Sequence, residues 1–377
     1  MKFTQIRLEN WRNFYRVDVP VQERNFLIGP NASGKSNFLD ALRFLADLVS
    51  VGGGFEAAVK DREGVSSIRC LAARKISDVA LEVQIANGAD DNWRYRLTFG
   101  QDSRRRPAIK QERVYHGDDL LLDRPDPLDT EDPERLRQTH LEQVSANLKF
   151  RPVADFFRTI RYYHIVPQLV RESDRWDGPD VDPYGGDFLE RIMMTPVTTR
   201  QARLKRIQQA LTVAVPQLTE LIAERDERGL AHVRGKYGHW RPQGAWQKET
   251  QFSDGTIRLL GLLWSLLDGT GPLLLEEPEL SLHPEVVRQI PQLVARVQGK
   301  SRRQIFISTH SSDLLRDRGI APDEVFLFIP SESGTTVQVG ARLREVMRLL
   351  ETGLSLADVV IPITKPPHAD QLSLFPD

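Results

Sequence analysis

Gly29-Pro30-Asn31-Ala32-Ser33-Gly34-Lys35-Ser36 stands between an apolar run, Asn25-Phe26-Leu27-Ile28, and a stretch where Phe38, Leu39, Leu42 and Leu45 recur at helical spacing. That order is the strongest constraint on the fold, because a buried strand must run into a glycine loop that opens directly into a helix. Such loops turn backbone N–H groups inward around phosphate oxygens, and the helix behind them points its positive end at the same anion. Gly29 and Gly34 supply the backbone freedom. Lys35 is placed to reach β- and γ-phosphates and the Ser36 hydroxyl to ligate Mg²⁺, with Asn37 grouped beside them at the helix start. An α/β fold holding a nucleoside triphosphate at a strand-to-helix turn is the expectation.

Downstream, Leu273-Leu274-Leu275 suits a central strand of a parallel sheet covered on both faces, and Glu276-Glu277-Pro278 ends it where open α/β sheets bind ligands. Adjacent carboxylates on an extended backbone point in different directions and serve different tasks. Glu276 is the candidate Mg²⁺ ligand, and Glu277 the candidate group that polarises an attacking water. Pro284 marks a helix start, followed by a stripe of Val287, Ile290, Val294 and Val297 closed by Gly299. Gln304-Ile305-Phe306-Ile307-Ser308 reads as another buried strand. His310 follows it, placed to hydrogen-bond a γ-phosphate or the attacking water.

In this order, together with Phe252-Ser253-Asp254-Gly255, these segments resemble the ABC-type ATPases, in the soluble branch that includes the RecF, SMC and OLD families. Residues 4–14 look like that branch's opening strand, and the resemblance puts Arg12 and Asn13 near the nucleotide. Residues 276–284, Glu-Glu-Pro-Glu-Leu-Ser-Leu-His-Pro, are similar to the acidic strand and following loop of OLD-like proteins. The resemblance implies a P-loop NTPase fold with ATP and Mg²⁺, and a homodimer in which the signature segment Ser253, Asp254 and Gly255 of one chain faces the other, Ser253 and Gly255 contacting the γ-phosphate held by that other chain's Gly34 and Lys35. Two departures stand out: Asp254 interrupts the usual Ser-Gly-Gly, and Glu276 replaces the commoner Asp. The resemblance also makes Gln168, after the strand-like residues 162–166, a candidate metal-side glutamine.

Between the two ends of the core, residues 79–99 alternate across a turn at Ala86-Asn87-Gly88 and continue through 109–115, which predicts an antiparallel β subdomain over 71–122. Residues 123–134 are rich in acid and proline and read as an exposed loop. Residues 141–249 read as a mainly helical insertion leading to the 253–255 segment, with the core over 1–70 and 250–345 and residues 324–329 as its last strand. The lone Cys70 excludes an internal disulfide and a cysteine zinc site, and no sustained heptads call for long coiled-coil arms. The longest apolar stretch, 259–267, is too short to cross a bilayer, and no signal pattern opens the chain, so a cytoplasmic protein without membrane partners is expected.

Net charge of −1 gives no global attraction to nucleic acid. Local clusters at Arg104-Arg105-Arg106, at Arg200, Arg203, Lys205 and Arg206, and at Lys300, Arg302 and Arg303 are either solvated faces or DNA backbone contacts. Some 67 residues follow His310, without the spaced acids of a nuclease domain, so a separate effector protein is expected. Residues 366–377 read as an extended tail. Its Gln371-Leu372-Ser373-Leu374-Phe375 resembles the peptide by which bacterial proteins dock on the replication sliding clamp; the alternative is packing on the protein's own body. The function expected is an ATP-driven switch in DNA maintenance, including DNA repair, or antiviral defence, the alternative being an ATP-dependent scaffold with little turnover.

Overall fold

The computed structural model describes residues 1–73, 76–88, 90–173, 182–238 and 245–365. Its strands are β1 (Lys2–Trp11), β2 (Phe14–Pro20), β3 (Arg24–Ile28), β4 (Val79–Ala86), β5 (Asn92–Gln101), β6 (Pro107–His116), β7 (Asp119–Arg124) and β8 (Arg161–Tyr163). They continue with β9 (Leu218–Arg225), β10 (Ala231–Tyr237), β11 (Ala245–Lys248), β12 (Leu273–Glu276), β13 (Ile305–Thr309), β14 (Val325–Ser331) and β15 (Gly334–Val339). One sheet has the order β15-β14-β3-β13-β12-β8, parallel except for the β14–β15 hairpin. A second, fully antiparallel sheet runs β2-β1-β4-β5-β6-β7, and a third, small one runs β11-β10-β9.

The parallel sheet is apolar on both faces because each face meets a different core. Leu27, Leu274, Phe306, Phe326 and Phe328 join one cluster, whereas Phe26, Ile28, Leu273, Leu275, Ile305, Ile307 and Leu327 join the other. Helix α1 (Lys35–Val49) is clamped between the parallel and antiparallel sheets. Its Phe38 meets Phe326 and Phe328 with ring centroids at 6.1 and 5.8 Å, and its Phe44 meets Trp11 and Phe99 at 5.4 and 5.6 Å. Truncating either phenylalanine to Ala would cost about 3–5 kcal/mol. On the opposite face, helix α2 (Asp254–Leu267) buries Leu260, Leu263 and Trp264 beside Val294 of helix α3 (Ile290–Ser301).

Register decides where the loops go. Glu276 pairs with Ser308, and Thr309 pairs with Ile28, so the chain leaves three neighbouring strands at one edge of the sheet. The segments opening at Gly29, Glu277 and His310 therefore converge.

Several expectations change. The antiparallel sheet is not confined to 71–122: β1 pairs with β4 from Lys2↔Ala86 to Glu9↔Ala80, so the N-terminal strands belong to that layer and the sheet extends to Arg124. The 141–249 insertion carries the helices Arg151–Arg158, Pro167–Arg171, Phe188–Met194 and Val197–Ala214, but it is not helical throughout. It contributes β8 to the parallel sheet, and β9, β10 and β11 form a sheet of their own, because alternation over 218–237 is satisfied by cross-strand pairs. Residues 123–134 are not a simple exposed loop, since Arg124 and Asp129 are buried as an ion pair. Strand β15 follows the strand read as the last, and Gly299 lies inside α3, which ends at Ser301.

Candidate functional site: a nucleotide cradle at the edge of the parallel sheet

The loop after β3 has the shape its glycines permit. Gly34 sits at φ +98°, and a Cβ there would lie 2.2 Å from the Asn13 side chain. At Gly29 a Cβ would meet Ser33 Oγ at 2.5 Å and the Phe328 backbone oxygen at 2.8 Å. Asn13 locks this turn: its Nδ2 donates to the Ser33 carbonyl at 2.8 Å and to Thr335 Oγ1 at 2.7 Å, and Asn37 Nδ2 donates to its Oδ1 at 2.9 Å. Asn31 and Ala32 form the exposed tip, beyond Pro30.

Lys35 is buried and folds back on the loop. Its Nζ donates to the carbonyls of Gly29 and Pro30 at 3.0 and 3.1 Å and lies 2.8 Å from His310 Nε2. Burial lowers its pKa to about 8, against the pull of Glu277, Glu276 and Glu279. Ser36 Oγ donates to Glu276 Oε1, and the Tyr162 hydroxyl donates to the other carboxylate oxygen. A hydroxyl and a carboxylate in direct contact are a hard-oxygen donor pair of the kind Mg²⁺ takes, so the residues present fit that ion.

Glu277 stands at φ +43°, an uncommon conformation for a side chain of this kind, held by its N–H donating to the Ser308 carbonyl at 3.1 Å. Its carboxylate lies 2.9 Å from His310 Nε2, and the hydrogen bond from His310 is the main cause of its lowered pKa. One imidazole nitrogen thus faces two partners. With the proton on Nδ1 it accepts from Lys35; with the proton on Nε2 it donates to Glu277.

Glu279, unnoticed in the sequence, is buried behind them. Its Oε1 accepts from Thr309 Oγ1 and from the His310 N–H, while Oε2 has no hydrogen-bond partner among the described residues, and burial raises its pKa. Tyr162 was missed because only the pairing of β8 with β12, Leu274↔Tyr162, brings it to the acid. For Glu279 a signal existed, a third acid two positions beyond Glu277.

Arg12 and Asn13 both reach the loop's surroundings. Arg12 lies with Ser36, Asn37, Asp40, Tyr162 and other residues around a cavity of about 240 Å³ beside the loop. Gln168 is exposed on the short helix Pro167–Arg171, and Tyr162 rather than Gln168 touches Glu276. Ser253 caps α2, its Oγ accepting from the Thr256 N–H at 3.2 Å, and is exposed. Asp254 pairs with Arg171, and Gly255 lies against the Ser281 carbonyl, 2.6 Å from where its Cβ would be. The basic clusters are partly consumed internally. Arg303 is buried, its guanidinium donating to the carbonyls of Gly271, Ser265 and Asp268, while Arg203 pairs with Asp268 and Arg106 with Asp102 and Glu134. The Gln371 to Phe375 tail motif lies outside the described residues. Among the described residues, no helix is long and apolar enough to cross a membrane.

Fold and cradle together define an ABC-type ATPase domain of the RecF, SMC and OLD-like branch. The chain belongs to the family described as "AAA domain, putative AbiEii toxin, Type IV TA system", whose model matches residues 24–317. It is similar to Endonuclease GajA of Bacillus cereus (strain VD045), 24% identical over 341 residues that cover 84% of this chain. The chain spans 56% of that protein's length. Among solved structures, an Smc head bound to the C-winged helix domain of ScpA gives a TM-score of 0.58 at 13% identity, covering 92% of this chain and 100% of that one. A Pyrococcus furiosus Smc head with an extended coiled coil, bound to the C-terminal domain of ScpA, gives 0.55 at 11% identity, covering 93% and 99%. At these identities the structural likeness speaks to the fold alone.

Proposed function

We propose that this chain is an ATP-hydrolysing switch that closes as a homodimer around ATP and reopens on hydrolysis. The observation that carries the proposal is the state of Lys35: a buried cation held by carbonyls of its own loop, at the edge where Ser36, Glu276, Glu277 and His310 converge. A γ-phosphate offers that ammonium better acceptors than carbonyls do. Ser36 and Glu276, the latter oriented by Tyr162, are the residues that would hold Mg²⁺, which supplies charge neutralisation on the phosphates. Once Lys35 turns to phosphate, His310 Nε2 is left to Glu277, and the two can orient and deprotonate a water.

The cap is assigned to Ser253 and Gly255 of a second copy, aimed by the N-terminus of α2. Antiviral defence or DNA maintenance with a separately encoded effector is the setting we favour. The similarity to an endonuclease supports a nucleic-acid context. Recruitment to the sliding clamp by residues 371–375 remains part of this proposal; equal clamp binding by the intact chain and one ending at Asp370 would remove it.

The decisive measurement is ATP turnover against protein concentration, with and without DNA, for the wild type and Glu277→Gln. The switch requires a steep concentration dependence in the wild type. It also requires a loss of about 100-fold or more in the variant, with the dimer trapped by ATP. A variant that turns over like the wild type favours a scaffold that binds ATP and barely hydrolyses it.

A further inference from the structure

Asp254 is the residue least suited to a turn that faces phosphate. It lies in the first turn of a helix whose Ser253 cap is exposed, and an unpaired carboxylate there would occupy the positive helix end and repel an incoming anion. The carboxylate is not unpaired. Arg171 Nη2 donates to Asp254 Oδ1 at 2.6 Å and to the Phe252 carbonyl at 2.8 Å, fixing the acid and the backbone before the cap with one guanidinium.

Arg171 is itself held. It ends the helix Pro167–Arg171, whose Val170 is buried in the same core as Ile257 and Leu260 of α2. One turn earlier, Ile165 presses on α2 where Gly261 leaves room: a Cβ at Gly261 would lie 2.8 Å from Ile165 Cγ1. The segment 165–171 is thus fastened to α2 at Gly261 and at Asp254, and it continues directly from β8, which carries the Glu276 partner Tyr162.

We infer that Arg171 is a positioning residue of the composite phosphate site: it draws the Asp254 carboxylate off the α2 N-terminus so that Ser253 and the first-turn N–H groups can receive a phosphate held by a second copy of this chain. This assignment rests on the shared-site reading above. It places the compensating charge in the chain that supplies the cap, and ties that cap to the strand bearing Tyr162.

The test is a double-mutant cycle on the full chain, read by ATP-dependent self-association in sedimentation, with fluorescent-nucleotide affinity of the dilute chain and thermal unfolding as controls. Arg171→Ala is expected to weaken association about tenfold, within the range of ordinary intersite coupling, while nucleotide affinity and melting stay unchanged. Asp254→Gly, which removes the anion from an exposed turn, is expected to associate at least as tightly as the wild type. In the double variant, association is expected to return to the Asp254→Gly level. The assignment is overturned if Arg171→Ala associates like the wild type, if Asp254→Gly associates less well, or if the double variant stays as weak as Arg171→Ala. No ATP-dependent association in the wild type or in Glu277→Gln would instead overturn the shared-site reading, and that failure is distinguishable because it occurs with Arg171 and Asp254 intact.

Discussion

Two buried charged networks, some distance apart in the chain, are built on opposite plans. Around Arg124 the network closes. The guanidinium bonds Asp129 at 2.8 and 2.9 Å, Glu112 at 3.1 Å and the carbonyls of Arg135 and Gln138 at 2.9 Å each. Glu112 also accepts from the His140 and Leu141 N–H groups at 2.8 and 3.1 Å. Around Lys35 the network is open: the ammonium leans on its own loop, His310 Nε2 has two competing partners, and Glu279 Oε2 has none among the described residues. A cation met by carboxylates holds residues 124–141 to the antiparallel sheet, whereas Lys35 is held by two carbonyls and an imidazole, the place the proposed nucleotide would supply with negative charge.

Breaking the closed network should therefore cost folding and spare binding. Arg124→Met leaves Glu112 and Asp129 buried without their cation, and a loss of about 3–5 kcal/mol is expected in urea unfolding. Nucleotide affinity of the folded fraction should not change. A loss below about 1 kcal/mol would mean that the cluster is not the structural element its geometry suggests.

Lys35→Met makes the converse change. Removing a poorly compensated buried cation should leave the stability of the nucleotide-free chain intact or slightly higher by thermal unfolding. Affinity for a fluorescent ATP analogue should fall about 100-fold, the loss of roughly one charged hydrogen-bonding group. Destabilisation comparable to that of Arg124→Met would erase the contrast between the two sites.

The contrast also explains what the sequence could disclose. The phosphate loop, the acid pair and His310 are local signals: each lies directly after an apolar run that became a strand of the parallel sheet, and parallel register brings the three loops together. Tyr162, Asn13 and Arg171 act through contacts with residues 114, 322 and 83 positions away in the chain, and local periodicity carries no record of such pairings. The closed network was misread for a related reason. Acid and proline over 123–134 resemble a solvated loop until strand β7 carries Arg124 inward beside Glu112. Arg303 was read as part of a basic surface cluster, yet its guanidinium binds carbonyls at the end of α2 and before β12. Residue type alone does not separate a solvated charge from a buried one whose partners come from elsewhere in the fold.

Proton linkage gives the finest test of the open network. Lys35 in the folded, nucleotide-free chain titrates at about 8 instead of the ordinary 10.5, because burial disfavours the ammonium. Between those values the unfolded chain holds a proton that the folded chain has lost, so this group makes stability rise with pH across that window. A bound triphosphate brings negative charge to the ammonium and raises its pKa, so binding above about pH 8 must take up a proton. Affinity should accordingly fall as pH increases past 8, by at most about tenfold per unit. Calorimetric titration of ATP near pH 9 in two buffers of unlike ionisation enthalpy counts the protons. Uptake approaching one per site is expected for the wild type, and less for Lys35→Met by the share that Lys35 supplies. Equal counts in the two proteins would mean that the triphosphate does not reach the ammonium, and the open network would then need another ligand to close it.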